Sequence, residues 1–256
     1  MKVTVLGCGS SGGVPLIGNR WGLCDPQEPR NRRSRASVLI EDSKTVALVD
    51  MTPDARTQLL ACDLQDLTAV LFTHAHADHC HGIDELRSLN WLTGKPIDIF
   101  AGQETLEELR ARFPYALGET RSPGRSAFYK PTMVTHVIEG AFAVNGLRVL
   151  PFAQKHGPIQ SLGFRFGAFA YSTDVSELGE AAFAVLEGVR YWVVDAVRRE
   201  PHPTHTHLAR TLDWIARVRP ERAWLTHMNE TMDYQALLKE LPSHVQPAHD
   251  GLVIEC

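Results

Sequence analysis

The chain lacks the cysteine pattern of a cross-linked or thiolate-metal protein. Its five cysteines, Cys8, Cys24, Cys62, Cys80 and Cys256, are odd in number, scattered and never in a Cys-x-x-Cys pair. That excludes a disulfide framework and a cysteine zinc knuckle, and reduced thiols are expected. No apolar run is long enough to span a bilayer, and Met1-Lys2-Val3-Thr4-Val5-Leu6-Gly7 reaches glycine too soon for the apolar core of a signal peptide. The expectation is a cytoplasmic protein without a membrane partner. Positive charge is not in excess: 26 Lys and Arg stand against 30 Asp and Glu, a net charge of −4. A general nucleic-acid binder must offset phosphate charge over a broad surface, so large nucleic acids are not expected partners. No linker or short repeat divides the 256 residues, 44% of them hydrophobic, and a single domain over 1–256 with a sizeable core is expected.

The patterning alternates strands with helices. A β-rich run at Val3–Leu6 enters the glycine-rich turn Gly7–Gly13, and a loop over 14–36 carries the basic group Arg30, Arg32, Arg33 and Arg35. Ser37–Glu41 and Thr45–Asp50 read as a hairpin turned at Asp42-Ser43, and Pro53 opens a helix through Cys62. Strand Ala69–Thr73 leads into a histidine-rich loop and a helix over Gly82–Leu92, followed by strand Ile97–Phe100 and helix Glu104–Arg112. Residues 113–132 carry no period and read as a lid, substrate arm or dimer contact, which leaves a homodimer open. Strands at Val134–Ile138, Leu147–Phe152, Ser161–Phe166 and Phe169–Ser172 precede a helix over Ser176–Leu186 and strand Tyr191–Asp195. Helix Leu208–Val218, strand Ala223–Thr226, helix Tyr234–Leu241 and strand Leu252–Ile254 complete the chain. Two groups of strands, each followed by helices, predict an α/β protein with a four-layer αββα sandwich.

Histidine is the residue present in excess, 12 in all and grouped. The sharpest group is Thr73-His74-Ala75-His76-Ala77-Asp78-His79, directly after an apolar strand, where a rigid scaffold can turn loop side chains inward. Three imidazoles and a carboxylate so close together need a shared partner if they are buried, and a divalent metal provides one. With no cysteine in the cluster, Zn²⁺, Mn²⁺ or Fe²⁺ fits the nitrogen and oxygen donors.

His-x-His-x-Asp-His resembles the signature of the metallo-β-lactamase-fold superfamily, whose αββα sandwich agrees with the patterning. The resemblance implies two divalent metal ions, the first held by His74, His76, His156 and Asp174, the second by Asp78, His79, Asp174 and His227. Here His156 stands in Gln154-Lys155-His156-Gly157, Asp174 in Tyr171-Ser172-Thr173-Asp174 and His227 in Leu225-Thr226-His227, each after an expected strand. Two such ions, about 3.5–4 Å apart, share a carboxylate and turn water into a nucleophile at neutral pH. Asp78 is thereby both a ligand and a catalytic residue.

The segment Pro201-His202-Pro203-Thr204-His205 resembles the phosphodiesterase branch, which includes the phosphoribosyl 1,2-cyclic phosphate phosphodiesterase of phosphonate breakdown and is related to the tRNA 3′-processing endonucleases. His205 matches the branch's extra histidine, which would protonate a leaving ribose oxygen, with His202 and His207 competing for the role. Asp50 matches a carboxylate that orients a metal-bound histidine, and Asp195 and Asp250 are further candidates. The Gly7–Gly13 loop would offer backbone amides to an anion. His81, His136, His244 and His249 match nothing in the family and are expected in supporting or surface positions.

Two departures bear on substrate. The resembled enzyme holds an accessory zinc with several cysteines of its early loop and has a histidine three residues past its final ligand. This loop keeps only Cys24, and Glu230 takes the histidine's place. That zinc is not expected, and the four arginines are left to grip a phosphate. The expected substrate is a small, cyclic ribose phosphate or nucleotide diester. The competing readings are a thioester or lactam hydrolase, a tRNA 3′-processing activity and a non-catalytic nucleotide-binding module.

Overall fold

In a computed structural model of the protein, residues 1–117 and 133–256 are described. The strands are β1 (Lys2–Gly7), β2 (Ser37–Asp42), β3 (Thr45–Val49), β4 (Ala69–Leu71), β5 (Ile97–Ala101), β6 (Met133–Val137), β7 (Phe142–Val144), β8 (Leu147–His156), β9 (Ile159–Phe166), β10 (Phe169–Ser172), β11 (Glu177–Leu178), β12 (Tyr191–Asp195), β13 (Arg222–Thr226), β14 (Val245–Pro247) and β15 (Leu252–Glu255). The helices are α1 (Ala55–Ala61), α2 (Ala77–Cys80), α3 (Leu86–Thr93), α4 (Gln103–Arg112), α5 (Pro114–Leu117), α6 (Glu180–Leu186), α7 (Leu208–Val218) and α8 (Tyr234–Glu240).

One sheet runs β15-β1-β2-β3-β4-β5-β6 and the other β11-β8-β9-β10-β12-β13-β14, with β7 added beside β8. Alternation along each strand decides what the first sheet faces. Val38 and Ile40 of β2, and Ala47 and Val49 of β3, point into a core shared with Phe164, Phe166 and Trp192 of the second sheet. Leu39 and Leu48, between them in sequence, point the other way, onto α1, α3 and α4. The outer face of the second sheet is covered by α6, α7 and α8, which contribute Leu186, Ile215 and Leu237. The result is the expected αββα sandwich.

The helix expected over Ser176–Leu186 is shorter. Glu177 and Leu178 pair with Lys155 and Gln154 as β11, and the helix starts only after Gly179. The helix expected over Gly82–Leu92 is a 3₁₀ turn at Ile83–Glu85 followed by α3, and the histidine loop contains the extra short helix α2. β7 and β14 were not expected; three residues show too little alternation to read. The arm expected over 113–132 begins as α5, and its remainder lies outside the described residues. Among the described residues no helix is long and apolar enough to cross a membrane.

Candidate metal centre

The site forms where strand ends of both sheets meet. Asp50 follows β3 and His74–His79 follow β4; His156 ends β8, Asp174 follows β10, Asp195 ends β12 and His227 follows β13. Asp50, Asp174 and His227 have φ of 65°, 53° and 57°. This left-handed conformation is disfavoured for side chains with a Cβ, and its clustering at one site is the kind of strain that a functional geometry retains.

Asp50 organises the histidine loop. Its Oδ1 accepts from the Thr73 backbone N–H at 2.8 Å, and its Oδ2 lies 2.8 Å from Thr73 Oγ1 and 2.7 Å from His79 Nδ1. Since the Thr73 hydroxyl donates to Asp50, the neighbouring His74 Nδ1, 2.9 Å away, donates to that oxygen. His156 Nδ1 donates to the Thr204 carbonyl at 2.7 Å. In these three rings the hydrogen bond at Nδ1 turns Nε2, the nitrogen whose lone pair a metal would take, inward.

Those lone pairs surround Asp174. Its Oδ1 is 3.0 Å from His79 Nε2 and 3.2 Å from His227 Nε2, while its Oδ2 is 3.4 Å from His156 Nε2 and 3.8 Å from His74 Nε2. His76 Nδ1 lies 3.2 Å from His156 Nε2, and Asp78 Oδ2 lies 3.3 Å from His79 Nε2 and 3.6 Å from His227 Nε2. The carboxylate of Asp174 thus divides its two oxygens between two groups, His74, His76, His156 and Asp174 on one side and Asp78, His79, Asp174 and His227 on the other. Each group offers four ligand atoms within 4.8 Å of one another. His74 Nε2, His79 Nε2 and both ring nitrogens of His227 are buried without a hydrogen-bond partner. Buried unpaired donors and acceptors are costly, and a divalent cation on each group satisfies them, so the residues present fit two metal ions.

The charge balance follows the same division. Burial alone would push His227 down, but the charge of Asp174 and the Asp78 carboxylate 3.6 Å from its Nε2 carry it up to about 9. His79 is also held well above the ordinary value, against burial, by Asp174, Asp50 and Asp78. His74 goes well below it, mainly through burial and the charge of His79, and burial lowers His156.

His205 stands at the rim, its side chain 13% exposed, with Nδ1 3.1 Å from Asp195 Oδ2. Its ring stacks on His227 with centroids 4.8 Å apart. Asp195, His205 and His227 form a third trio of converging donors, which shares His227 with the second group. The cleft over this centre, about 370 Å³, is lined by Ser11, Asp78, His205 and His227, with Pro158 and Ile159 as an apolar wall.

Several sequence expectations are corrected. The arginines do not line the cleft: Arg30 pairs with Glu28 at 2.7 Å, Arg35 with Asp54 at 2.9 Å, Arg32 lies over the Trp21 ring, and Arg33 is buried. Asp250 orients no histidine; its carboxylate accepts from the backbone N–H groups of Cys8 and Ser34. Asp195 orients the rim histidine His205. In the glycine-rich loop, the amides of Gly9, Ser10 and Gly13 are committed to Ser34, Met228 and Ser10 carbonyls, leaving Ser11 as the loop's contact with the cleft. Cys24 is buried beside Arg33, and no metal-capable group among the described residues includes a cysteine.

Of the competing histidines, His202 packs edge-on against His205, while His207 caps the start of α7. His136 pairs with Asp98, His81 packs on Phe113, His249 donates to the Asp250 carbonyl, and the His244 carbonyl accepts from Ala223. Sequence reasoning missed Thr73 and Thr204 as orienting groups, although both lie inside the motifs it singled out. It also missed Pro158 and Ile159, for which the sequence carries no signal.

Residues 45–228 match the family model described as a β-lactamase superfamily domain. The solved structure of a diphosphatase from the PhnP family is 32% identical, with a TM-score of 0.90 over 99% of this chain and 96% of that one. Zn²⁺-bound PqqB from Methylobacterium extorquens, 20% identical with a TM-score of 0.75 over 100% of both chains, shares the fold. So does the short form of human tRNase Z, 18% identical with a TM-score of 0.71 over 100% of this chain and 99% of that one. An octanoyltransferase from Porphyromonas gingivalis is 31% identical over 259 residues and 98% of this chain, which spans 51% of that protein's length. The chain belongs to the β-lactamase superfamily, as a metallo-β-lactamase-fold hydrolase that resembles the PhnP branch.

Proposed function

We propose that the protein is a dinuclear metal-dependent phosphodiesterase that hydrolyses a small, cyclic ribose phosphate or nucleotide diester. In this reading the two four-residue groups joined by Asp174 each hold one cation, Mn²⁺, Zn²⁺ or Fe²⁺. When bound, such cations supply Lewis acidity to the phosphate oxygens and to the attacking water. The chain's own residues do the rest. Asp50, Thr73 and the Thr204 carbonyl hold the imidazoles in the tautomers that face inward, and Pro158 and Ile159 offer the sugar an apolar wall.

The observation that carries the reading is the placement of His205 at the rim, with Nδ1 committed to Asp195 at 3.1 Å. Nε2 is then the atom left to pass a proton to a departing oxygen. A ribose alkoxide needs that proton, whereas a thiolate, with a pKa near 8.5, leaves without it. That favours a diester over a thioester. A cleft of about 370 Å³ suits a small ligand. A second reading, hydrolysis of the phosphoric anhydride of a nucleotide, is favoured by the likeness to the PhnP-family diphosphatase.

The test is a panel of bis(4-nitrophenyl) phosphate, a ribose cyclic phosphate, a nucleotide anhydride and a thioester, each with Mn²⁺ or Zn²⁺ restored. The proposal expects turnover of the cyclic diester. It expects His205→Ala to keep both metals yet lose about 10²–10⁴-fold on that substrate, with far less effect on the nitrophenyl diester, whose leaving group needs no acid. Loss of metal in His205→Ala, or turnover of the thioester alone, overturns it. Turnover of the anhydride alone establishes the second reading.

A further inference from the structure

Arg33, which the sequence offered as a phosphate grip, is 2% exposed and lies away from the cleft. A buried guanidinium is expensive unless its donors are used; here Nε has no partner, and both terminal nitrogens are spent on the turn's backbone and on Asn31. Nη2 donates to the Met232 carbonyl at 2.6 Å and to Asn31 Oδ1 at 3.2 Å, and Nη1 donates to the Asn229 carbonyl at 3.4 Å. Both carbonyls belong to the turn that follows His227.

The same turn is tied to the N-terminal part of the chain at nearly every step. Met228 donates to the Cys8 carbonyl at 2.9 Å and accepts from Ser10 at 3.1 Å, and the Glu230 carbonyl accepts from Leu23 at 2.8 Å and Cys24 at 3.2 Å. Tyr234 donates to Asn31 Oδ1 at 2.8 Å, and Asn31 Nδ2 donates to Asp233 at 2.7 Å. Arg33 is itself anchored by paired backbone hydrogen bonds with Val14, 2.9 Å in each direction. Arg33 is thus the buried side chain within a set of bonds that joins a loop of more than twenty residues to the turn after His227, a residue that keeps a left-handed backbone and has no hydrogen-bond partner on its ring.

We infer that Arg33 is a positioning residue that locks residues 228–232 to the early loop and so fixes the ring of His227 in the second ligand group. The inference rests on the dinuclear reading for its consequence and on the hydrogen bonds alone for the clamp. Removing the guanidinium strands the Asn229 and Met232 carbonyls and loosens the turn between its remaining ties, so the group containing His227 loses order while the group built from His74, His76 and His156 keeps its own supports.

The experiment compares the parent chain with Arg33→Met and Arg33→Lys, by metal titration and by amide hydrogen exchange. Arg33→Met should retain the first cation and bind the second about 10–100-fold more weakly, the range found when a partner that orients a ligand is lost. Exchange should accelerate over 228–234 and over 22–33. Arg33→Lys, which keeps the charge and part of the donor set, should recover part of both effects. If Arg33→Met does not fold, Arg33→Lys decides on the same readouts. Equal weakening of both cations, or unchanged exchange in the turn, overturns the inference. A parent chain that takes up no metal would remove the dinuclear reading while the exchange data still decide the clamp.

Discussion

Asp174 and Asp78 hold His79 and His227 toward their protonated forms in the metal-free protein, with His227 carried up to about 9 despite its burial. Both belong to the second ligand group. Metal uptake there must expel those protons, whereas His74 and His156, pushed downward mainly by burial, already present free lone pairs. The two cations should therefore respond differently to pH. Affinity for the second should rise with pH from 6.5 through about 9, and more steeply than affinity for the first. Competition with a chelating dye across that range checks this, and a first cation that proved equally pH-sensitive would contradict the assignment of protons. In the metal-free fold the same raised value of His227 adds stability below its ordinary 6.5, and that contribution disappears as pH passes about 9.

At the scale of elements, the β8–β9 hairpin and the Pro201–His205 segment support each other through one glycine. Gly157 turns the hairpin with φ of 59°, and a Cβ there would stand 2.5 Å from Thr204 Cγ2. Thr204 is the residue whose carbonyl holds His156 Nδ1. Gly157→Ala should push Thr204 aside, at a cost of about 1–3 kcal/mol for overpacking and about 1–2 kcal/mol for the left-handed backbone. The expected outcome is a lower thermal midpoint together with weakened binding of the first cation, measured by calorimetry and elemental analysis. Stability lost with both cations kept would show that Thr204 does not orient His156. This coupling was not legible in the sequence, where Gly157 and Thr204 are separated by four strands and a helix. Runs such as Ala69–Thr73 and Tyr191–Asp195 were readable because five mostly apolar, β-favouring residues in a row declare a strand, while β7, β11 and β14 span two or three residues and exist only through pairing with longer neighbours.

Across the whole molecule, the first sheet brings Asp50 and His74 to His79 to the centre, and the second brings His156, Asp174, Asp195 and His227. On the proposed reading, cations held between them would act as a staple across the sandwich. At free metal about 100-fold above the dissociation constant the staple adds about 2.7 kcal/mol, or roughly 5–10 °C of thermal midpoint for a chain of this size. A chelator should remove that increment without changing the far-ultraviolet circular dichroism, and Asp174→Ala should melt at one temperature with or without metal. A midpoint indifferent to chelator in the parent chain would place the cations, if any, outside the seam.

Composition and local order were enough to read the layered fold and the histidine run His74–His79 after its strand, because hydrophobic alternation and short-range motifs are properties of neighbours along the chain, whereas His156, Asp174 and His227 were picked out by the family resemblance. Only the tertiary structure decided that Asp174 divides its two oxygens between the groups, that Asp195 belongs to His205, and that Arg33 turns away from the cleft to hold the turn after His227. Each of these joins residues brought together by the crossing of separate strands, and the energy of such a contact depends on distance and direction in space, which no local pattern encodes.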